Sequence, residues 1–166
     1  ASKLQFEEGI GPYVLAAIAQ SAGAHSVVYQ DHNFGASPKS IAEAISMWAK
    51  QYANTPRILG FSVLSLGVEL LFAVLEKMSN LDVPIMIGGA GASIEPERII
   101  HEASRIVPQQ VPLVLIEGDG ENAFHTLLNT DPDRWHTIEA VWRRNSDGII
   151  IPGKYQQYDI EQSPSP

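Results

Sequence analysis

Two patterns of apolar residues alternate along most of this chain. Segments with apolar residues three and four positions apart are typical of amphipathic helices, and the short continuous apolar runs between them are typical of buried strands. The predicted helices span 12–23, 38–53, 66–79, 94–106 and 122–129, and the predicted strands span 25–30, 57–62, 83–87 and 111–116. This alternation predicts an α/β fold, a doubly wound, flavodoxin-like or Rossmann-like, mainly parallel sheet with helices on both faces.

Two of the predicted helices have clear start signals. Ser37 precedes Pro38, and Ser93 precedes Glu95, Pro96 and Glu97. Serine is favoured as an N-cap, proline in the first turn, and acidic residues near a helix N-terminus. We therefore expect Ser37 and Ser93 to cap the helices that follow them.

The pattern changes beyond Asp131. Residues 137–144 and 149–152 predict a β-hairpin around the turn Asn145-Ser146-Asp147-Gly148, added at an edge of the sheet. The polar tail 156–166 contains two X-Pro units and has the composition of a linker. We expect one domain over 1–155, with a short or truncated first strand near 3–6, and a linker over 156–166 toward another domain.

Composition narrows the classes of partner. The chain has 166 residues, 45% of them hydrophobic, which is enough for one buried core. A net charge of −8 without basic runs disfavours nucleic acid and anionic membranes, and no apolar stretch is long enough to span a bilayer. The expected location is cytoplasmic. The absence of Cys excludes disulfides, thiolate zinc and cysteine nucleophiles within these residues.

Candidate chemistry lies in the loops that follow three predicted strands. Ser62-Val63-Leu64-Ser65, Gly88-Gly89-Ala90-Gly91-Ala92-Ser93 and Glu117-Gly118-Asp119-Gly120-Glu121 each follow an apolar run. Ligands of open α/β sheets lie across the carboxyl ends of the strands, and glycine permits close approach to the backbone. These loops predict a site for a flat, bulky ligand.

The acidic loop has other interpretations. Its carboxylates suggest a Mg²⁺ site, but Asp119 is also placed to cap the next helix, which we favour. The stretch Gly118–Ala123 matches the dinucleotide pattern G-x-G-x-x-A on the wrong strand, where its acids would repel a pyrophosphate. A phosphorylated receiver domain is disfavoured, because Ser62 and Glu117 stand where that family needs Asp and Lys. No catalytic constellation or metal site is predicted, and the three tryptophans are assigned to packing.

The order of these motifs resembles the N-terminal cobalamin-binding domain of B12-dependent radical S-adenosylmethionine (SAM) enzymes. The resemblance runs from Gly9-Ile10-Gly11-Pro12 through the Ser62-Val63-Leu64 and Gly88-Gly89 motifs to Ile151-Pro152-Gly153. Methionine synthase and related mutases carry Asp-x-His-x-x-Gly in the first loop, and its His binds cobalt. If Gly11 is the motif's Gly, Phe6 and Glu8 occupy the Asp and His positions, as expected for the radical SAM branch. His32 is interpreted as a polar loop residue.

The resemblance implies a set of cofactor-binding residues. They are Gly9, Gly11, Ser62, Val63, Leu64, Ser65, Gly88, Gly89, Ala90, Gly91, Glu117, Gly118 and Gly120. Ser62 and Ser65 would donate hydroxyl hydrogen bonds, Leu64 would lie under the corrin ring, and the glycines would leave room for the ligand's nucleotide tail.

The implied function is cobalamin binding within a radical SAM enzyme, most simply a methyltransferase that uses methylcobalamin as methyl carrier. SAM and a 4Fe-4S cluster would be bound by a barrel that lies outside these residues, and the fragment alone would be inactive. Two alternatives stay open. One is a noncatalytic cobalamin sensor or carrier, and the other is a flavodoxin-like interaction domain that has lost the cofactor.

Overall fold

The computed structural model describes residues 10–23, 35–78 and 80–154. Within these ranges the protein is an α/β structure with six α-helices, two short 3-10 helices and five strands. The helices are α1 (Ile10–Ser21), α2 (Pro38–Gln51), α3 (Val68–Lys77), α4 (Ala90–Ile94), α5 (Pro96–Ile106) and α6 (Glu121–Leu128), with 3-10 helices at Ser65–Gly67 and Pro132–Thr137. The strands are β1 (Leu59–Ser62), β2 (Ile85–Gly88), β3 (Leu113–Leu115), β4 (Trp142–Arg144) and β5 (Ile150–Ile151).

The described strands form one mixed sheet in the order β1-β2-β3-β4-β5. The strands β1, β2 and β3 are parallel, whereas β4 pairs antiparallel with β3 and β5 antiparallel with β4. Because β1, β2 and β3 are parallel, their carboxyl ends lie along one edge of the sheet. We call this edge, with the loops 62–67, 88–95 and 116–121, the carboxyl edge.

Apolar side chains pack on both faces of the sheet, as the continuous apolar runs predict. On one face, Ile85, Ile87 and Leu115 belong to a cluster with α3 and α5. On the other, Met86 and Val114 pack with residues of α6 and with Trp135. Trp135 is buried, and its indole N–H donates to the carbonyl of Leu127 at 3.0 Å, which confirms its assignment to packing.

The helix α2 lies outside α3 and begins as its sequence predicts. The Ser37 hydroxyl accepts a hydrogen bond from the Ser40 backbone N–H at 3.1 Å, and Pro38 occupies the first turn. The buried residues Ile41 and Ala42 pack against Val74 of α3. The predicted cap at Ser37 is therefore confirmed.

The predicted cap at Ser93 is wrong. Ser93 lies inside α4, and the chain leaves helical geometry at Glu95, with φ −133° and ψ 56°, before α5 starts at Pro96. The physical reason is the proline, because the residue before a proline is disfavoured in the helical region. One predicted helix is thus two.

The C-terminal hairpin is confirmed in a shorter form. Residues 132–137 form a 3-10 helix, and the antiparallel pairing is limited to residues 142–144 and 150–151. The Asp131 side chain accepts from the Asp133 N–H at 3.1 Å and caps this helix, with Pro132 in the first turn. Asp131-Pro132 is a helix start signal, so the predicted strand began too early at Thr137.

Some predictions fall outside the described residues. These are the strands near 3–6 and 25–30, His32, and the linker 156–166. None of the described helices has the length and apolar character needed to cross a lipid bilayer.

Candidate functional site

The carboxyl edge brings the predicted loops together. In the parallel pairing of β1 with β2, Ser62 is the partner of Gly88, so the Ser-Val-Leu-Ser and Gly-Gly loops leave the sheet side by side. The third loop follows β3, whose pairing with β2 continues through Ile116 N–H, which donates to the Ile87 carbonyl at 2.8 Å. The three loops are therefore adjacent in the order that the sequence predicts.

The first and second loops are joined through their backbones. Val63 N–H donates to the carbonyl of Gly88 at 2.8 Å, and Gly91 N–H donates to the carbonyl of Val63 at 2.8 Å. Val63 itself is buried. This pair of bonds extends the β1–β2 ladder beyond the strands and fixes the spacing of the two loops.

Gly89 and Gly91 are required by this close approach. A Cβ at Gly89 would lie 2.7 Å from the backbone N and O of Val63, and Gly89 also has φ +97°, which favours glycine. A Cβ at Gly91 would lie 2.6 Å from the carbonyl carbon of Leu64. The space that we expected these glycines to leave for a ligand is occupied by the first loop.

The other glycines of the predicted set at this edge are Gly88, Gly118 and Gly120. A Cβ at Gly88 would lie at ordinary contact distance, 3.8 Å, from the Cβ of Ile116. A Cβ at Gly120 would meet only the Ile116 side chain closely, at 2.8 Å from Cγ2. Ile116 is the nearest neighbour of both positions, and a Cβ at Gly120 would require its side chain to shift.

The third loop is held by two side-chain bonds. The indole N–H of Trp142 in β4 donates to a carboxylate oxygen of Glu117 at 2.8 Å. The Ser93 hydroxyl accepts from Gly118 N–H at 2.8 Å. Because Gly118 has φ +72°, the chain turns sharply here toward α6. Glu117 and Gly118 are thus anchored to neighbouring elements.

The predicted capping role of Asp119 is wrong. The N-cap of α6 is Gly120, which has no capping side chain, and Asp119 is exposed. Asp119 precedes the N-cap by one residue, so its carboxylate is out of register with the free N–H groups. One carboxylate oxygen of Glu121 is buried without a hydrogen-bond partner. Among the described residues, no group of three His, Cys, Asp or Glu side chains is arranged to hold a metal ion.

The outer surface of the carboxyl edge combines hydroxyls with exposed apolar side chains. Ser62, Ser65 and Ala90 are exposed, and Leu64 is 56% exposed. Leu66 in the 3-10 helix is fully exposed, and Ile94 at the end of the adjoining α4 is 67% exposed. Leu64, Leu66 and Ile94 thus leave large apolar side chains exposed to solvent at this edge.

Two predicted residues belong to the first loop. Gly11 lies in the first turn of α1, which packs against α6. Gly9 lies outside the described residues.

Sequence reasoning missed Trp142, Leu66 and Ile94 as residues of this edge. Leu66 was predicted as the first residue of the third helix. The 3-10 turn before α3 rotates it outward, and Gly67 immediately after it was the available signal for a break. Nothing local marks Trp142, because its bond to Glu117 joins residues distant in the chain.

A concavity of about 530 Å³ lies at the opposite edge of the sheet. It is bordered by Gln109–Leu113, by Asp133 and His136 of the 3-10 helix, and by Arg144–Ser146 at the hairpin turn. None of the predicted site residues lines it. It lies at the amino ends of the parallel strands, where ligands of open α/β sheets are not expected.

Comparison with known proteins gives no relative: no protein-family model, curated protein or solved structure matches this chain.

Proposed function

We propose that this chain is a cobalamin-binding domain of flavodoxin-like, doubly wound architecture. The observation that carries the proposal is the pairing of Ser62 with Gly88, which puts the Ser-Val-Leu-Ser and Gly-Gly loops side by side at the carboxyl edge. Open α/β sheets bind ligands at this edge. The motif order along the chain resembles that of cobalamin-binding domains.

The chemistry of the edge fits a corrin ring. Leu64 and Leu66 are exposed apolar side chains that a flat macrocycle would cover, and burying them would contribute favourable free energy. The exposed hydroxyls of Ser62 and Ser65 can donate to the amide side chains at the ring's periphery.

Less space is open at this edge for the nucleotide tail than for the corrin ring. The gap between the first and second loops is filled where Gly89 and Gly91 meet Val63 and Leu64. The more open positions are Gly60, whose Cβ would meet nothing within 4 Å among the described residues, and Gly88, where a Cβ would be at ordinary contact distance from Ile116. We propose that the tail would use the Gly60–Gly88 side of β1 and β2.

Bound methylcobalamin would supply a transferable methyl group to a radical SAM barrel, which would hold SAM and the 4Fe-4S cluster in a cytoplasmic parent enzyme. The residues described here would bind and orient the cofactor and exclude water, with no catalytic side chain. The direction of β5 supports the proposed connection of this domain to a radical SAM barrel. It runs parallel to β3, so Pro152–Lys154 leave the sheet at the carboxyl edge, on the side of the proposed ligand.

The test is a titration with hydroxocobalamin followed by its visible absorption. The unaltered chain should bind with the ligand's own lower base displaced from cobalt. The Co(II) form should then show no nitrogen superhyperfine splitting in its electron paramagnetic resonance spectrum, because the first loop also lacks an axial His. Leu64→Glu should weaken binding at least about tenfold, since the ring would have to desolvate a carboxylate.

The matched control is Ile149→Glu. Ile149 is 59% exposed, close to the 56% of Leu64, but it lies in the hairpin turn away from the carboxyl edge. Its variant should bind as the unaltered chain does. No binding by the unaltered chain, or equal losses in both variants, would reject the proposed site.

One observation favours a second function, a flavodoxin-like interaction domain without cofactor. The Gly-Gly loop is explained by its own packing against Val63 and Leu64. Under that function, the exposed Leu64, Leu66 and Ile94 would contact a protein. The hydroxocobalamin titration separates cobalamin binding from this second function. For the alternative of a cobalamin sensor, the test is whether the parent protein carries a regulatory domain beyond Pro166.

A further inference from the structure

The side chain of Ser93 makes hydrogen bonds that differ from those of the helix N-cap predicted from the sequence. It lies in the last turn of α4, and its hydroxyl donates to the carbonyl of Gly89 at 3.1 Å. The same oxygen accepts from the N–H of Gly118 at 2.8 Å. One hydroxyl group thus uses its donor and an acceptor site at once, a combination that alanine cannot provide.

The two bonds of Ser93 join different loops. Gly89 belongs to the second loop of the carboxyl edge, and Gly118, with φ +72°, to the third. The first and second loops are already tied by backbone bonds through Val63. At the base of the third loop, Ile116 N–H is bonded to β2, whereas Gly118 farther out is bonded to a side chain.

We propose that Ser93 is a positioning residue that sets the distance between the second and third loops for a ligand that contacts both. This inference rests on the proposed function, since a corrin ring is wide enough to reach both loops. Ser93 itself need not touch the ligand. Its part is to hold the backbone of Gly118, and with it the start of α6, against the Gly-Gly loop.

The experiment compares Ser93→Ala with the unaltered chain by two measurements. The first is amide hydrogen exchange at Gly118 without ligand, which should become about fivefold faster or more when its acceptor is removed. The second is the dissociation constant for hydroxocobalamin, which should rise about fivefold, equal to about 1 kcal/mol for one net hydrogen bond. Ser93→Thr keeps the hydroxyl and should restore both values toward those of the unaltered chain.

The matched control is Thr126→Ala. The Thr126 hydroxyl also donates to a carbonyl four residues earlier, that of Asn122 at 2.9 Å, and within the described part of the chain it makes no bond to a loop. It should leave Gly118 exchange and hydroxocobalamin binding unchanged.

The outcomes separate this inference from the proposed function. Unchanged Gly118 exchange in Ser93→Ala would overturn the loop linkage, whether or not the ligand binds. Faster exchange with unchanged affinity would overturn the positioning role while leaving the proposed function intact. If the unaltered chain does not bind hydroxocobalamin, the proposed function fails, and the ligand role of Ser93 fails with it.

Discussion

Two glycines at the carboxyl edge illustrate how a motif residue can be required by packing. Gly89 and Gly91 approach the backbone of the first loop so closely that any Cβ would overlap it. Backbone cannot rotate out of the way as a side chain can. Substitutions there should therefore disturb the fold itself, in addition to any effect on a ligand.

We expect Gly91→Ala to lower the free energy of unfolding by about 1–3 kcal/mol, the usual cost of overpacking. The new Cβ would lie 2.6–2.7 Å from the Leu64 carbonyl group. Gly60→Ala is the control, because its Cβ would meet nothing within 4 Å among the described residues. Urea denaturation of both variants measures the difference. Equal stability of the two would contradict the packing role of Gly91.

At the same scale, the sequence identified Ser93 but assigned it the wrong role. The prediction used neighbours within four residues, as capping rules do. The partner that gives Ser93 its role, Gly118, is 25 positions away. By contrast, the bond of Ser37 is local, to Ser40, and its prediction is confirmed. Local hydrogen bonds are readable from sequence, and long-range ones depend on the finished fold.

At the scale of elements, one buried side chain attaches the hairpin to the rest of the sheet. Arg144 at the end of β4 is 7% exposed, and burial lowers the pKa of its guanidinium from the usual value. It donates to four backbone carbonyls at 2.7–3.0 Å, those of Ser104, Val107, Pro108 and Val111. These acceptors end α5 and lead into β3, so the charge also meets the negative end of the helix dipole.

Arg144→Met should therefore destabilise the protein by about 2–4 kcal/mol, since buried carbonyls would lose charged donors. Arg144→Lys should recover only part of this, because an ammonium lacks the planar fork of donors. The exposed Arg134, replaced by Met, controls for loss of charge alone. Thermal unfolding of the three variants measures these differences in stability. A loss in Arg134→Met as large as in Arg144→Met would contradict the anchoring role.

Element types were largely predictable, and element boundaries were less so. The apolar runs at 57–62, 83–87 and 111–116 cover the three parallel strands except Gly88, the last residue of β2, because burial on both faces leaves a continuous apolar signal. The break at Glu95–Pro96 and the 3-10 helix at Pro132–Thr137 were missed although both contain proline. Proline occurs in the first turn of helices and also in turns and loops, so its presence alone does not fix where a helix begins.

For the whole molecule, the proposed ligand should act as a stabiliser. Ligand that binds only the folded state contributes about 2.7 kcal/mol at a hundredfold excess over its dissociation constant. For a domain of this size, about 1 kcal/mol raises the melting temperature by roughly 2–4 °C. Hydroxocobalamin at that excess should therefore raise it by about 5–10 °C in a calorimetric scan. An unchanged melt, with no cobalamin retained after gel filtration, would remove the functional proposal and leave the fold unaffected.

The C-terminal hairpin has a further consequence for behaviour at high concentration. It covers the side of β3 that would otherwise present unpaired N–H and C=O groups, and its own outer strand β5 has only two residues. Pro152 follows at once and has no N–H to offer. A strand this short, ended by proline, is a poor template for pairing with another chain. On this side the sheet is therefore protected against edge-to-edge aggregation.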